Sequence, residues 1–291
     1  MKPDLIEFKG LGGLKLVADS YGTPGNQPVI FAHGGGQTRH AWGGTAKKLA
    51  GLDWHAVCLD LRGHGDSAWC PDANYAIDAY AEDLRIISRT FAKRPVAVGA
   101  SLGGISSLLA EGEHEDPIFS AVVFVDISPR VAEAGVENIR NFMSANMAEG
   151  FASLDEAASS IAKYLPHRPK PKDTSGLAKN LRLRENGRYY WHWDPKFFSG
   201  PNGPRDPRRP ERLEAAAQKL TCPALLVRGQ ASDLVTLESA RAFLDLIPHM
   251  EFVDVTGAGH MVAGDKNDAF TDAVVQFLNK LQPDRGRPRC H

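Results

Sequence analysis

Four short apolar runs in the first half of the chain alternate with stretches of helical spacing. The runs are rich in Val, Ile and Phe, which is typical of strands buried on both faces, and they cover residues 28–34, 55–63, 95–101 and 121–128. Between them, apolar residues recur on one helix face at residues 42–49, 77–87 and 102–110. The alternation predicts an α/β fold with a mostly parallel central sheet flanked by helices.

Both ends of the chain extend this pattern. Residues 5–10 and 14–22 alternate apolar and polar positions around Gly12 and Gly13, which predicts an antiparallel hairpin at the sheet edge. The α/β pattern resumes late in the chain with two strands and a final helix, at residues 223–229, 251–257 and 269–281.

The pattern is interrupted between residues 131 and 209, where no strand periodicity is present. Five apolar residues of this stretch share one helix face: Val136, Ile139, Phe142, Met143 and Met147. Ser153 and Glu156 have the spacing of a helix capping box. We therefore expect a core interrupted by a helical insertion, with residues 1–129 and 213–283 as the core, 130–212 as the insertion and 284–291 as a disordered tail.

Composition narrows the class of protein. Apolar residues make up 43% of the chain and charged residues 24%, and the formal net charge of -1 gives no global attraction to nucleic acid or to a membrane surface. Because we find neither a signal-peptide pattern nor an apolar run of membrane-spanning length, we expect a cytoplasmic protein without nucleic-acid or membrane partners. The sequence leaves a homodimer open.

The strongest chemical signal is the segment Gly99–Gly104, with Ser101 between a predicted strand and a predicted helix. A sharp strand-to-helix turn needs small neighbours, and it exposes the serine hydroxyl above the sheet as a nucleophile elbow does. The amide of Leu102, at the helix start, points towards charge that develops near the serine. An incidental serine in a glycine-rich turn is the competing interpretation.

A serine nucleophile needs a base and an acid partner. His260 follows a predicted strand in a glycine-rich loop, so it is the base that we expect. For the carboxylate we favour Asp233, because it lies in a loop after the strand at residues 223–229 and gives the chain order Ser, Asp, His. Asp126, also at a strand end, is the alternative.

The glycine run after His33 predicts the second half of an oxyanion hole. Gly35 can offer its amide together with Leu102, and Gly36 is the alternative donor. The run has no Lys-Ser/Thr ending for a phosphate loop, and the histidines near it match no common metal-ligand spacing. We expect neither a cofactor nor a metal.

Four separated motifs together resemble the α/β-hydrolase superfamily, in particular its cap-bearing serine esterases and lactonases: HGGG (33–36), DLRGHGDS (60–67), GASLGG (99–104) and GAGH (257–260). The resemblance implies the α/β-hydrolase fold, with the insertion as a cap over the substrate pocket. It also implies that Asp60, Arg62 and Ser67 brace a loop and do no chemistry. Related epoxide hydrolases and dehalogenases use an aspartate nucleophile, so Ser101 indicates acyl transfer instead.

We therefore expect a hydrolase that cleaves a carboxylic ester or lactone of a medium-sized apolar or aromatic small molecule. Trp42, Trp191 and Trp193 are the predicted pocket residues, although aromatic residues can equally join cap to core. The alternatives are a carbon–carbon bond hydrolase or cofactor-free oxygenase on the same triad, and a ligand receptor without turnover.

Overall fold

The computed structural model describes residues 1–165, 173–199, 210–265 and 267–281, so the predicted tail at 284–291 lies outside the described residues. Eight strands form one sheet: β1 (Asp4–Lys9), β2 (Lys15–Tyr21), β3 (Gln27–Ala32), β4 (Trp54–Leu59), β5 (Val96–Ala100), β6 (Ala121–Val125), β9 (Ala224–Gly229) and β10 (Glu251–Val255). Their spatial order is β1-β2-β4-β3-β5-β6-β9-β10. Only the β1–β2 and β2–β4 pairs of this sheet are antiparallel.

The described helices connect these strands or cover them: α1 (Gly43–Ala50), α2 (Ile77–Ser88), α3 (Leu102–Gly112), α4 (Glu133–Ser144), α5 (Leu154–Tyr164), α6 (Lys196–Ser199), α7 (Pro210–Gln218), α8 (Leu237–Leu246), α9 (Val262–Asp265) and α10 (Asn267–Leu281). Short 3₁₀ turns span Leu11–Gly13, Arg39–Trp42 and Ser175–Asn180. The mostly parallel sheet flanked by helices confirms the predicted fold class.

The sheet is buried on both faces, as its apolar runs predict. Along β3, Val29 and Phe31 pack into one buried cluster, while Ile30 and Ala32 pack into the other. This division follows from the two-residue period of a strand, which sends successive side chains to opposite faces. Because β3, β4, β5, β6, β9 and β10 are parallel, their carboxyl ends lie on the same side of the sheet. In α/β folds, ligands bind in the crevice outside these strand ends.

The segment between β6 and β9 stands outside the central sheet, and we call residues 130–212 the cap. The cap contains strands as well as helices, because β7 (Leu181–Leu183) and β8 (Tyr189–Trp191) form an antiparallel pair. The prediction of no strand in this stretch is therefore wrong. Three-residue strands are too short to show an alternating pattern, and their hydrogen bonds come from the partner strand.

Other features of the cap follow the sequence closely. Ser153 caps α5, since its hydroxyl accepts a hydrogen bond from the amide of Glu156 at 3.1 Å. The apolar face of α4 contributes Val136, Ile139 and Met143 to the lining of a cavity between cap and core. In the described part of the chain, we find no helix with both the length and the apolar character of a membrane span.

Candidate active site

Ser101 occupies a tight turn between β5 and α3. Its backbone has φ 45° and ψ -112°, a conformation that residues other than glycine rarely adopt and that often marks a functional site. Small residues make the turn possible, because a Cβ at Gly99 would lie 2.5 Å from the carbonyl oxygen of Gly103. The serine hydroxyl is thus presented at the carboxyl edge of the sheet, where the nucleophile is predicted.

The imidazole of His260 is paired with Asp126. His260 Nδ1 lies 2.7 Å from Asp126 Oδ2, and the carboxylate is fully buried at the end of β6. Asp126 also accepts hydrogen bonds from the amide of Gly229 at 3.0 Å and from the hydroxyl of Ser232 at 2.6 Å. A carboxylate acceptor fixes the proton on Nδ1 and leaves Nε2 free to act as a base.

The structure pairs His260 with Asp126 and not with Asp233, so the preference for Asp233 as the acid is wrong. Asp233 is exposed, beyond the end of β9, and its backbone carbonyl approaches Gly135 of the cap. The same loop instead contributes Ser232, which sequence reasoning missed. Ser232 Oγ donates to Asp126 while it accepts hydrogen bonds from the amides of Leu234 and Val235.

Ser101 and His260 line one cavity of about 1450 Å³. Two contacts bring their loops together. A Cβ at Gly34 would lie 3.3 Å from the Cβ of Ser101, and Gln37 Nε2 donates to the sulfur of Met261 at 2.6 Å. The loop at residues 34–37 therefore touches both the serine turn and the residue after His260.

This loop, residues 34–37, carries the predicted oxyanion donors, and we call it the oxyanion loop. Gly35, Gly36 and Leu102 all line the cavity. Among the residues that the structure describes, no hydrogen-bond partner is found for the amides of Gly35 and Leu102. Both amides are available to a ligand, as an oxyanion hole requires.

A buried histidine fixes the start of the oxyanion loop. His33 Nδ1 donates to the carbonyl of Gly34 at 2.8 Å, and its Nε2 accepts from the amide of Leu61 at 3.0 Å. These partners require a neutral ring with the proton on Nδ1. Burial lowers the pKa of His33 to about 4, so the ring stays neutral at physiological pH. Because the carbonyl of Gly34 is held, the amide of Gly35 in the same peptide is held too.

The loop at residues 60–67 has the bracing contacts that the resemblance implies. Arg62 forms a buried ion pair with Asp83, with Nε 2.6 Å from Oδ2. The hydroxyl of Ser67 donates to the carbonyl of Asp60 at 2.6 Å and accepts from the amide of Val17. None of Asp60, Arg62 and Ser67 lines the described cavity.

The three predicted pocket tryptophans separate into two groups. Trp191 and Trp193 line the cavity and stack on each other, with ring centroids 4.7 Å apart. Trp42 does not line it, and its prediction as a pocket residue is wrong. Its ring packs between Phe31 and Phe270, in the core cluster of Val29.

A metal site finds no support in the described ranges, where no three His, Cys, Asp or Glu side chains are grouped to hold an ion. Ser101 at its strained turn, the Asp126-paired imidazole of His260, and Gly35 and Leu102 with their unpaired amides belong to one site, because Ser101, His260, Gly35 and Leu102 all line the same cavity.

Residues 29–273 match the model of the alpha/beta hydrolase family. The chain belongs to this family. Among its relatives, an esterase of Mycobacterium tuberculosis is 30% identical over 258 residues, covering 86% of this chain and 82% of the esterase. A 3-hydroxybutyrate-oligomer hydrolase of Cupriavidus necator is 26% identical over 257 residues, covering 84% and 87%. An alpha/beta hydrolase fold with hydrolytic activity is the common ground of these matches.

The structure of the hydrolase is also similar to a solved one. The crystal structure of an alpha/beta hydrolase from Novosphingobium aromaticivorans superimposes with a TM-score of 0.79 at 26% sequence identity, and the match covers 96% of this chain and 99% of that one.

Proposed function

We propose that this hydrolase cleaves a carboxylic ester or a lactone through an acyl-serine intermediate on Ser101. The observation that carries the proposal is the 2.7 Å hydrogen bond between His260 and the buried Asp126, because His260 and Ser101 line the same cavity. A paired imidazole beside a serine elbow is the arrangement that activates a hydroxyl.

In the proposed reaction, Ser101 Oγ attacks the substrate carbonyl while His260 Nε2 takes its proton. Asp126 stabilises the imidazolium that forms, and it stays ionised itself. The carbonyl oxygen becomes an oxyanion, which the amides of Gly35 and Leu102 bind. His260 returns the proton to the leaving alkoxide, and water then attacks the acyl-serine with the same base. With a lactone, the leaving hydroxyl remains attached to the acyl group.

The cavity supports a medium-sized apolar or aromatic substrate. Its volume exceeds the range of roughly 300–1,000 Å³ that is usual for small-molecule pockets. The cap contributes aromatic and aliphatic side chains to the cavity lining, among them Phe142, Met143, Trp191, Trp193 and Phe197. Such a wall binds an apolar acyl or aryl group by burial of its surface.

A fluorophosphonate probe with intact-mass detection tests the proposal, followed by turnover of alkyl esters, aryl esters and lactones. We expect one adduct, on Ser101, and ester turnover that falls by several orders of magnitude in Ser101→Ala. An adduct and turnover that persist in Ser101→Ala would contradict the proposed nucleophile. Turnover of a ring-cleavage dienoate without ester turnover would assign carbon–carbon hydrolysis to the same site, and tight ligand binding without turnover of any substrate would indicate a receptor.

A further inference from the structure

The segment 191–194 fastens the cap to the core, and we call it the latch. The amide of Asp194 donates to the carbonyl of Gly63 at 2.9 Å, and Tyr75 Oη donates to Asp194 Oδ2 at 2.6 Å. Trp69 Nε1 donates to the carbonyl of His192 at 3.3 Å. These bonds hold the latch against Gly63, Trp69 and Tyr75 of the core.

The imidazole of His192 is buried inside the latch and bonded at both nitrogens. The amide of Gly65 donates to Nδ1 at 2.7 Å, so Nδ1 carries no proton. Nε2 lies 3.3 Å from the carbonyl oxygen of Gly36, which can only accept, so the proton is on Nε2. Burial lowers the pKa of His192 well below its usual value, which keeps this neutral form.

The bond to Gly36 ends on the oxyanion loop. His33 holds the carbonyl of Gly34 on one side of Gly35, and His192 holds the carbonyl of Gly36 on the other. Gly36 has φ 75°, and glycine is the residue that adopts this conformation readily. A glycine-rich loop has little stiffness of its own, so its hydrogen bonds supply the restraint. Gln37 closes the turn on Gly34, with its amide 3.1 Å from the Gly34 carbonyl oxygen, and the two histidines fix the carbonyls on either side of Gly35. One of the histidines belongs to the core and the other to the cap.

We propose that His192 is a positioning residue for the oxyanion hole, because its Nε2–H bond to the Gly36 carbonyl restrains the loop that carries the amide of Gly35. Since His192 belongs to the cap, oxyanion binding then depends on the cap being packed against the core. The inference rests on the proposed function. His192 acts through the loop and touches no reacting atom. Trp193 and Met143 of the cap pack against Gly36 in the same loop, since a Cβ at Gly36 would lie 3.3 Å from the Trp193 ring and 2.7 Å from Met143 Cε.

A matched pair of substitutions separates the two bonds of the imidazole. In His192→Gln the side-chain amide takes the place of Nε2 and can still donate to Gly36. In His192→Asn the side-chain oxygen takes the place of Nδ1 and can still accept from Gly65, while the bond to Gly36 is lost. Arg182→Met is the control for cap anchoring, because Arg182 binds the carbonyl of Gly65 at 2.8 Å and the carboxylate of Asp66 without reaching the oxyanion loop.

The readouts are kcat and KM for one ester, and the inhibition constants of an apolar trifluoromethyl ketone and of the matching alcohol. Ser101 Oγ adds to the ketone carbon, its proton passes to His260, and the carbonyl electron pair becomes an oxyanion. The alcohol fills the same space and forms none. We expect His192→Asn to lower kcat and ketone affinity in parallel by roughly tenfold or more, with KM and alcohol affinity unchanged. His192→Gln and Arg182→Met should keep most of both.

Equal losses in the Gln and Asn variants, or a change confined to KM and to the melting temperature, would show that His192 only anchors the cap. Should the Asn variant fail to fold, His192→Phe keeps a ring without either bond and answers the same question against Arg182→Met. Failure of the proposed function has a different signature, because the wild-type protein would then form no adduct with the ketone and turn over no ester.

Discussion

Asp126 is placed by its strand as much as by its hydrogen bonds. It follows β6, the immediate neighbour of β5, which ends at the nucleophile turn. Its backbone has φ 50°, a conformation that aspartate tolerates better than most residues. The carboxylate of Asp126 thus reaches His260, and it also accepts hydrogen bonds from the amide of Gly229 and the hydroxyl of Ser232.

Ser232→Ala is expected to lower kcat/KM by about tenfold, because a hydrogen bond to a charged group contributes roughly 1.5–3 kcal/mol and its loss loosens the carboxylate that orients His260. Steady-state kinetics on an ester measure the effect. Ser239→Ala is the matched control, since the Ser239 hydroxyl lies in the first turn of α8 and donates to the carbonyl of Thr236, the residue before that helix. Equal activity of the two variants would contradict a role for Ser232 in the site.

The structure brings the predicted Ser101 and His260 to one cavity but pairs His260 with Asp126 and not with the favoured Asp233, and the difference has a physical reason. A tight strand-to-helix turn needs small residues at fixed positions, so Gly99 and Gly103 indicate the turn in the sequence. Which carboxylate reaches the imidazole depends instead on lateral strand order and on how a loop turns. Chain order alone does not contain that information, and Asp233 and Asp126 both stand after strands.

Helix α3 forms one wall of the cavity. Leu102, Ile105 and Leu109 line it at helical spacing, starting beside the nucleophile. At 1.5 Å per residue, the wall runs for about 10 Å from Leu102 to Leu109. The far end also receives Leu213 of α7 and Ile77 of α2, so an extended acyl chain can lie along α3.

Leu109→Trp should shorten this wall. We expect the ratio of kcat/KM for dodecanoyl over acetyl esters to fall by about tenfold or more, because the indole occupies space that the distal part of the chain would bury. Leu109→Met keeps the volume and serves as the control. A chain-length profile that is the same in the Trp variant and in the wild type would place the acyl group elsewhere in the cavity.

Two element-level predictions failed for related reasons. Trp42 begins a stretch of helical spacing, at residues 42–49, and is a predicted pocket residue. Helical spacing does not say which face of the sheet a helix covers, and Trp42 packs against Phe31 and Phe270. The β7–β8 hairpin has strands too short for an alternating pattern, and the isolated bridge between Phe151 and Tyr189 adds a partner that is distant in sequence. Both outcomes depend on tertiary contacts that periodicity does not encode.

At the scale of the whole molecule, cap and core meet around three buried neutral histidines. The ring of His64 lies between those of His33 and His192, with centroids 5.2 and 5.8 Å away. Burial lowers the pKa of His64 to about 3 and that of His33 to about 4. Protonation of any of the three would put a charge in a closed interface.

The free energy of unfolding should therefore depend on pH. Unfolded histidines take up protons below about 6.5, while these three stay neutral in the folded chain, so acid favours the unfolded state. We expect stability to be full above pH 6.5 and to fall towards pH 4, by roughly 1.4 kcal/mol per pH unit for each histidine. Denaturant unfolding at several pH values measures the slope.

The matched variant is His64→Asn, whose amide can replace the bond from Nδ1 to the carbonyl of Arg62 and which does not titrate. Its slope should be shallower by one histidine. A stability that does not change between pH 7 and pH 5, or an unchanged slope in the variant, would contradict the neutral cluster.

The most direct test of the central claim compares Asp126→Asn with Asp233→Asn in kcat/KM on the ester that the wild type cleaves fastest. Asn at position 126 keeps an acceptor for the amide of Gly229 but loses the charge that pairs with His260, so we expect a fall of about 10⁴-fold. The Asp233 variant should stay within a few-fold of wild type. A large loss at Asp233 with near-full activity at Asp126 would contradict the account.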